Sequence, residues 1–581
     1  MSLALAFVLQ AVQPAALPCA PAPVVANAGV VTFCEVEVHA EPDVIAIATA
    51  DSDSLDYGGF VVRYRKGDRL DGQWVRQQAI ANGLVATPVP LDRIAAAVQQ
   101  ISLAYVRNGY VNSGVLIDPA TDAAGNGSTL VLRLIAGRLA EPGVAVEWQD
   151  GHRRGLSEGY VLARMPSVRA LPLNGLDIER DFRGLAADGA IATVKADLQP
   201  GTRPGEAQLT LLVDPAPRFA VQASIANSRS PAVGAWRAGA GLAVRNALMP
   251  GDRIAVDGGL TAGRPDILAD YSAPFIHPAM TIDLRGGYNR AAVVDAPLRN
   301  LNIRARDWFA EGGFGLTVWQ RPLTPASIDG QPEVSAQSVM VRAGVIHRET
   351  RTFLLGEPFS FSPGSVRGLA EYTALRLGAD WTRRSASTVW IAQARFTQGI
   401  EGSRSDVIGI VAPSPRFRSW SGQVSHARRL GGSGFELRAR LAGQYGEGAL
   451  YAGERFVAGG SQSVRGYRES LLLADRGVTG SVEVARPLVL GTGATGPLGL
   501  RWGSFTPSVF ADGAIARNAA RAFQPVPGEL ASIGAALAWT PSPSLSARVI
   551  YGHALINAPV TGSRDIQDDG LSFAIGWNRQ F

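Results

Sequence analysis

The strongest constraint on the fold is a change of hydrophobic period near Pro217. Beyond this residue apolar and polar side chains alternate, which is typical of strands whose two faces meet different surroundings. The alternation is clearest at Phe435 to Leu441, Leu375 to Trp381 and Leu545 to Tyr551, and one face carries many charges. In a soluble sandwich the apolar face would pack on a second sheet. In a membrane barrel it meets lipid, and the charged face lines a wet lumen.

The C-terminal strand and the length of the region favour the barrel. Leu571, Ile575, Trp577 and the terminal Phe581 share one parity, and mostly small or polar residues share the other. Such an ending resembles the signal by which outer-membrane barrels are recognised for insertion. Roughly 365 residues follow Pro217, and a spanning strand needs about 9 to 11 residues besides its connection.

We therefore predict a transmembrane β-barrel of about 16 antiparallel strands over residues 217–581. The segments Arg321 to Ser335 and Gly356 to Arg367 are rich in Pro, Ser and Gly, which makes them candidate extracellular loops. Lipid is the expected surrounding of the outer face, and no helical span is expected, because no stretch after the N-terminus offers about 18 uninterrupted apolar residues.

The N-terminal 216 residues follow a different pattern. Residues 1–26 have the apolar core and small-residue end of a secretory signal peptide. Residues 59–139 and 140–216 each mix short strands with helices in the same order, which predicts two α+β domains. The first contains a strand from Phe60 to Arg65 and an amphipathic helix from Leu91 to Asn108. Residues 27–58 form an N-terminal segment or linker in which a plug helix is one interpretation, although Val30 to Phe33 look strand-like.

Composition excludes several function classes. The net charge of +5 is small and scattered, so no nucleic-acid partner is expected. Two cysteines cannot build a Cys-rich zinc site, and the six histidines show no close pair, so neither a metal nor a cofactor is expected. Gly155 to Gly159 match the Gly-x-Ser-x-Gly pattern of a nucleophile elbow, but the strand-to-helix setting that this motif needs is missing. No catalytic residue is assigned.

From about Phe60 to the C-terminus the chain resembles the two-partner secretion transporters, also called TpsB or haemolysin secretion/activation proteins. Tyr105 to Ser113 and Leu132 to Arg138 look like parts of that family's first POTRA domain. Leu171 to Asn174 and Pro200 to Leu209 look like parts of its second POTRA domain. The resemblance implies that the two α+β domains are POTRA domains, followed by an outer-membrane barrel.

The most specific motif of the resemblance is a tetrapeptide that follows Gly459-Gly460. In the family it lies at the tip of a long loop folded back into the barrel lumen, here expected over residues 456–476, where its arginine pairs with an aspartate on the inner wall. A guanidinium and a carboxylate can form forked, charge-assisted hydrogen bonds in such a confined pore. The tetrapeptide consists of Val464, Arg465, Gly466 and Tyr467.

Asp512 is the expected partner of Arg465, and Phe510 shares its parity on the inner wall. The family pattern places a glycine two residues beyond the aspartate, where this chain has Ala514 instead. This departure puts the close packing around the pair in question. The stretch Ser-Val-Arg-Gly around Arg465 occurs a second time at Ser365 to Gly368. This copy lacks the preceding double glycine and is interpreted as an ordinary turn.

The resemblance implies an outer-membrane transporter that exports an unfolded partner exoprotein of haemolysin or haemagglutinin type from the periplasm. The POTRA domains would lie in the periplasm, and the barrel-assembly machinery would insert the chain. A barrel insertase of the same superfamily is the alternative, because it shares the POTRA-plus-barrel plan. A passive porin or an enzyme in the lumen would explain the barrel alone.

Overall fold

The computed structural model describes residues 30–40, 53–57, 60–119, 121, 128–262, 264–296, 298–324, 332–406, 411–489, 503–521, 523–560 and 562–581. The predicted signal peptide lies outside these residues. The described chain forms two compact units, one of residues within 1–147, 164–185 and 194–213, and one of residues 148–163, 186–193 and 214–581.

The first α+β domain has a four-stranded sheet on which two helices pack. Helix Leu91–Arg107 buries Ile94, Ile101 and Tyr105 at helical spacing and ends where Gly109 takes a φ of +89°. The predicted helix is therefore confirmed. The sheet order by strand is 88–90, 30–40, 128–135 and 114–117. The elements are helices Gly72–Ala81 and Leu91–Arg107 and strands Val30–Ala40, Asp53–Tyr57, Phe60–Tyr64, Pro88–Pro90, Gly114–Ile117 and Ser128–Ile135.

The structure corrects the predicted start of this domain at residue 59. Val30–Ala40 is a central strand of the sheet and runs parallel to Ser128–Ile135. A parallel pair needs a long crossover, here supplied by the two helices, so the partner of this strand lies far along the chain. Phe60–Tyr64 is a strand, but it forms a separate hairpin with Asp53–Tyr57. The described part of 27–58 is therefore strand rather than a linker or plug helix.

The second α+β domain contains a three-stranded sheet. The central strand of this sheet is Glu206–Pro215, and Arg138–Trp148 and Ile191–Pro200 lie at its edges. Helix Gly175–Ala186 is amphipathic and buries Ile178 and Leu185. The remaining helical segments are Glu158–Leu162 and the short 3-10 turns Gln149–Gly151 and Pro166–Arg169.

Motifs of both predicted domains meet within the first unit. The Asn112 amide donates to the Gly205 carbonyl at 2.8 Å, and the Leu173 amide donates to the Gly137 carbonyl at 2.7 Å. Gly205 has a φ of +81°, and a Cβ there would lie 2.3 Å from Ile135, so only glycine fits. The hydrogen bonds of Asn112 and Leu173, which lie in the family motifs, therefore join the two domains through main-chain carbonyls.

The C-terminal region is a closed antiparallel barrel of 16 long strands in the described residues, which confirms the predicted class. The first strand, Phe219–Ala226, pairs with the last, Leu571–Gln580, so the barrel has no open edge. The other strands are Arg237–Arg245, Arg253–Thr261, Arg264–Phe275, His277–Ala292, Arg304–Arg321, Ala336–Leu354, Leu369–Arg384, Thr388–Gly402, Arg418–Arg429, Glu436–Gly446, Arg476–Ala485, Ser504–Arg517, Glu529–Ser542 and Leu545–Ala554. The short strands Glu357–Pro358 and Leu488–Val489 add to it, and 3-10 turns lie at Pro231–Val233, Leu298–Leu301, Gly431–Ser433, Ala452–Glu454 and Ile566–Asp569.

Side chains alternate along the barrel strands as the sequence predicts. Leu441 and Val509 point away from the lumen and are 57% and 61% exposed, whereas Arg438 and Arg440 point inward and bond to other inner groups. The terminal Phe581 is also exposed, and its amide donates to the Phe219 carbonyl at 2.9 Å. The apolar outer face is therefore the one that lipid can cover.

Because neighbouring strands run in opposite directions, each strand end can be assigned to one of the two ends of the barrel. We call the end where the chain arrives at Phe219 the entry end, and the opposite end the far end. Residues 355–368 connect two strands at the far end, as expected for an extracellular loop. Residues 322–335 connect strands at the entry end instead, with a bridge between Thr324 and Val334. The prediction of an extracellular loop there is wrong, because composition marks a connection but not the end at which it lies.

The position of Val30–Ala40 can be tested with two substitutions in that strand. Phe33 is 1% exposed, whereas Val30 is 49% exposed. Phe33→Ala should lower the free energy of unfolding of the first domain by about 3–5 kcal/mol, and Val30→Ala should change it by less than about 0.5 kcal/mol. Native-state hydrogen exchange of helix Leu91–Arg107 in the full chain measures the difference. Equal hydrogen-exchange protection of this helix in both variants would show that Val30–Ala40 is a linker and not a strand of the domain.

Candidate functional site

A long connection at the far end folds back into the barrel. It joins strands Glu436–Gly446 and Arg476–Ala485, and its ends pair as the short strands Phe456–Ala458 and Leu472–Ala474. We call residues 456–474 the lumen loop. Val464 and Tyr467 are buried and form one apolar cluster with residues of the barrel wall. The other members of that cluster are Phe456, Ala458, Leu472, Ala474, Ala514, Ala516 and Leu530.

The structure brings the two predicted partners, Arg465 and Asp512, into direct contact. Nε of Arg465 donates to Oδ2 of Asp512 at 2.7 Å, and Nη2 donates to Oδ1 at 2.8 Å. The Arg465 backbone amide adds a third bond to Oδ2 at 3.0 Å. The carboxylate is therefore bound by a fork of guanidinium donors and by the main chain, and both side chains are buried.

A second carboxylate, which the sequence pattern alone did not reveal, completes the site. Glu483 accepts a hydrogen bond from Nη1 of Arg465 and lies 3.7 Å from Arg548. Ser481 accepts from Nη2 of Arg465 at 3.0 Å and donates to Asp512 at 2.6 Å. One guanidinium is thus bound by two wall strands. The alternation of its strand could have placed Glu483 on the inner face, but nothing in the sequence indicated that Arg465 is its partner.

The remaining residues of the motif fix the loop against the wall. The guanidinium carbon of Arg465 lies 3.4 Å from the centre of the Phe510 ring, a cation–π contact. Gly466 has a φ of +92°, and a Cβ there would lie 2.7 Å from the Gly552 carbonyl, so a side chain cannot be accommodated. The Tyr467 hydroxyl donates toward the carbonyls of Ala531 and Ile556 at 2.7 and 2.9 Å.

The departure at Ala514 does not loosen the site. The Ala514 side chain is buried and belongs to the apolar cluster that holds Val464 and Tyr467. Gly513 faces the other side of its strand, where a Cβ would have its nearest neighbouring atom 3.7 Å away. A methyl group at 514 therefore packs against the loop where the family pattern has a glycine.

A separate anchor holds the start of the connection to a different part of the wall. Glu454 accepts hydrogen bonds from Tyr372 at 2.6 Å and from Arg376 at 2.5 Å. Arg348 reaches the Gly453 carbonyl at 3.3 Å while it is paired with Asp307. These contacts involve strands 304–321, 336–354 and 369–384, and the contacts of Arg465 described above involve other strands.

A further anchor ties the loop to the connection that precedes the last strand. Arg468 donates to both Asp568 oxygens at 2.6 and 2.7 Å, and these bonds raise the pKa of the guanidinium. The Glu469 amide donates to Gln567 at 3.0 Å. The connection between strands Glu436–Gly446 and Arg476–Ala485 is thus held at three places by charged or polar groups.

Other residues singled out in the sequence have structural roles or no site. Ser157, the serine of the Gly-x-Ser-x-Gly match, caps helix Glu158–Leu162 by accepting from the Tyr160 amide. Within the described residues no group of His, Cys, Asp and Glu is arranged to hold a metal ion. In the same part of the chain no helix is both long and apolar enough to cross a membrane.

Comparison with known families identifies this region. Residues 335–538, which include the lumen loop and both carboxylates, match the family model of the haemolysin secretion/activation proteins ShlB/FhaC/HecB. Over this segment the chain is similar to that family. The family predicted from the sequence is confirmed, and the motif at Arg465 lies inside the matched segment.

Individual relatives agree with the family match. The chain is 24% identical over 421 residues to the outer membrane transporter CdiB of Escherichia coli O6:K15:H31 (strain 536 / UPEC), covering 71% of this chain and 64% of that protein. It is 22% identical over 419 residues to CdiB of Dickeya dadantii (strain 3937), covering 69% and 67%. The chain thus spans less than two thirds of the length of the E. coli relative.

Solved structures share the fold. CdiB from Escherichia coli superposes with a TM-score of 0.62 at 17% identity, covering 97% of this chain and 94% of that one. CdiB from Acinetobacter baumannii gives a TM-score of 0.56 at 15% identity, covering 98% and 94%. The protein is an outer-membrane barrel, and its N-terminal domains are periplasmic, which places the far end at the cell surface.

The ion pairs of Arg465 can be tested by ion conductance of the full chain in planar bilayers. Arg465→Gln leaves Asp512 without its cation, while Glu483 keeps Arg438 and Arg548 nearby, and breaking a buried pair of this kind costs about 3–5 kcal/mol. The loop should leave the lumen more often, so the open fraction should rise. Arg367→Gln is the matched control, because Arg367 lies in the same Ser-Val-Arg-Gly tetrapeptide but in a turn at the far end. An equal rise in both variants would contradict a specific lock.

Independence of the anchors gives a second prediction. Glu454 and Arg465 share no partner, so the effects of Glu454→Gln and Arg465→Gln on the free energy of opening should add within about 0.5 kcal/mol. Arg465→Gln and Asp512→Asn belong to one cluster and should be strongly non-additive. Conductance of the single and double variants measures both cycles. Coupling in the first cycle would mean that the loop moves as one rigid body.

Proposed function

We propose that this protein exports an unfolded partner protein across the outer membrane, and that the lumen loop leaves its site to open the path. The observation that carries the proposal is that ion pairs and hydrogen bonds at Arg465 and Arg468 hold the loop inside the barrel, next to one small apolar cluster around Val464 and Tyr467. Such contacts can be exchanged for water in a wet lumen, whereas a fully apolar plug would expose its core on leaving. The partner we expect is a secreted haemolysin or haemagglutinin-like protein.

The lumen supports passage of an extended polar chain. Beside the loop, a cavity of about 800 Å³ is lined by both signs of charge, among them Arg342, Arg376, Asp283 and Asp380. Arg342 donates to Asp380 at 2.6 Å, so much of this charge is paired across neighbouring strands. A surface of paired charges offers hydrogen bonds to a passing backbone and binds charged groups of either sign only weakly.

The two N-terminal domains supply sites for capture, and we propose that they act as POTRA domains spanning about 30–139 and 140–216. In the described residues Ile191–Pro200 pairs with one neighbour alone, and most of its side chains are exposed. Gly114–Ile117 is likewise the last strand of its sheet. An unfolded chain can add to such an edge as a further strand, which requires little of its sequence.

Transport then needs no nucleotide. Folding of the partner outside the cell would make its passage one-way, because the folded form cannot re-enter the lumen. Insertion of other barrels, the alternative function, is not favoured, since the family match and the relatives are transporters. The barrel-assembly machinery enters the proposal only as the system that inserts this chain.

A reversible tether tests whether the loop must move. The Arg465 amide lies 3.0 Å from the Asp512 carboxylate, so cysteines at 465 and 512 should come within disulfide reach. With Arg465→Cys and Asp512→Cys together, secretion of the co-expressed partner should stop under oxidising conditions and resume on reduction. Each single cysteine variant should be indifferent to the reductant. Undiminished secretion by the fully oxidised double variant would exclude passage through loop displacement.

A further inference from the structure

A row of large side chains crosses the lipid-facing wall near the far end. Trp420 pairs with Tyr445, Tyr445 with Arg476, and Arg476 with Arg517 across four neighbouring strands. Arg476 begins its strand and Arg517 ends its strand at the far end. Both have the parity opposite to the lumen residues Glu483 and Asp512, so both guanidinium groups project on the lipid side at the cell-surface leaflet.

A groove lies directly below this row. One step closer to the middle of the membrane, on the same lipid-facing side, lie Gly422, Gly443, Val478 and Ile515. These residues are again cross-strand neighbours. Two adjacent glycines leave the wall recessed, while Val478 and Ile515 are about half exposed and provide an apolar floor. The groove holds about 1210 Å³, and residues of the connection 518–528 line its upper side.

That connection is shaped by its own hydrogen bonds. Gln524 donates to the Ala520 carbonyl at 2.6 Å and accepts from the Asn518 amide at 3.0 Å. The upper side of the groove is therefore formed before any ligand arrives. A preformed pocket lowers the entropy that a ligand must lose on binding.

Positive charge is concentrated at the mouth of the groove. Arg476, Arg517 and Arg521 line it, against one carboxylate, Glu529. Arg476 is oriented by a bond to the Gly446 carbonyl at 2.8 Å and lies 4.4 Å from the Tyr445 ring. Arg517 and Arg521 have no hydrogen-bond or ion-pair partner among the described residues.

This arrangement is unfavourable without an anion. Like charges directly opposite each other on neighbouring strands destabilise a sheet, and cations on the lipid face of a barrel add to the cost away from the interface. A phosphate group would remove both penalties, because guanidinium groups bind phosphate through paired hydrogen bonds. An acyl chain would fill the apolar recess below it.

We propose that this groove is a binding site for a phosphorylated lipid of the cell-surface leaflet. The phosphate lies among Arg476, Arg517 and Arg521, and one acyl chain lies along Gly422 and Gly443. The groove faces the side of these strands opposite to the lumen, and Ile556 in its lining also bonds to Tyr467 of the lumen loop. Its ligand would fix the far-end rim beside the connection 518–528.

Native mass spectrometry of the full chain in non-ionic detergent tests the site, with phosphatidic acid and phosphatidylcholine of matched acyl chains as probes. The wild type should bind phosphatidic acid in preference. Arg476→Gln with Arg517→Gln should weaken that binding about tenfold or more and leave phosphatidylcholine binding unchanged. Gly443→Leu keeps the charge and fills the recess, so it should weaken binding of phosphatidic acid too. The heat-dependent gel shift of the barrel verifies that each variant is folded.

The chain offers a matched control. Arg290 and Arg306 are also cross-strand neighbours near the far end, on the lipid-facing parity, but they line no part of the groove. Arg290→Gln with Arg306→Gln should bind phosphatidic acid as the wild type does. Equal loss in both double variants would overturn the proposal in favour of general attraction to a basic rim. Equal affinity of the wild type for the two lipids, unchanged binding in the groove variants, or displacement of the lipid by inorganic phosphate would overturn it as well.

Discussion

Closure of the sheet between Phe219–Ala226 and Leu571–Gln580 is the constraint on which the rest of the barrel depends. In hydrocarbon an unpaired peptide group costs several kcal/mol, so a spanning sheet must have no open edge. Once the strands close, every side chain faces either lipid or the lumen. A barrel of this strand number encloses more space than its own inner side chains fill, which leaves room for the lumen loop.

The loop is retained by a chemistry that suits temporary occupancy. Burial of Arg465 would be costly alone, but Asp512, Glu483 and Ser481 satisfy its donors, and Phe510 covers one face of its guanidinium. The anchors at Glu454 and Arg468 bind other wall segments. Three polar attachments give a defined closed state, and each can be replaced by water when the loop departs. This combination connects a local ion cluster with the proposed opening of the whole pore.

Much of this could be predicted from the sequence, and the limits have physical reasons. Alternation with period two and the aromatic end of the last strand predict the barrel without knowledge of its pairing. The pairing of Arg465 with Asp512 was predicted by family resemblance. Glu483 and Glu454 were missed, because inner-face neighbours depend on strand register, and a shift by one residue would turn each side chain to the lipid. Val30–Ala40 was missed as part of the first domain, since its parallel partner lies beyond two helices.

The central claim, that the lumen loop exchanges between a bound and a displaced position during export, is tested most directly by a distance measurement. Spin labels at Gln462 in the loop and Ser542 near the entry end, in the full chain reconstituted in vesicles, report this separation by double electron–electron resonance. Loop exchange predicts one distance for the protein alone and a second, distinct distance when the partner protein is engaged. A single unchanged distance in vesicles that demonstrably translocate the partner would contradict it.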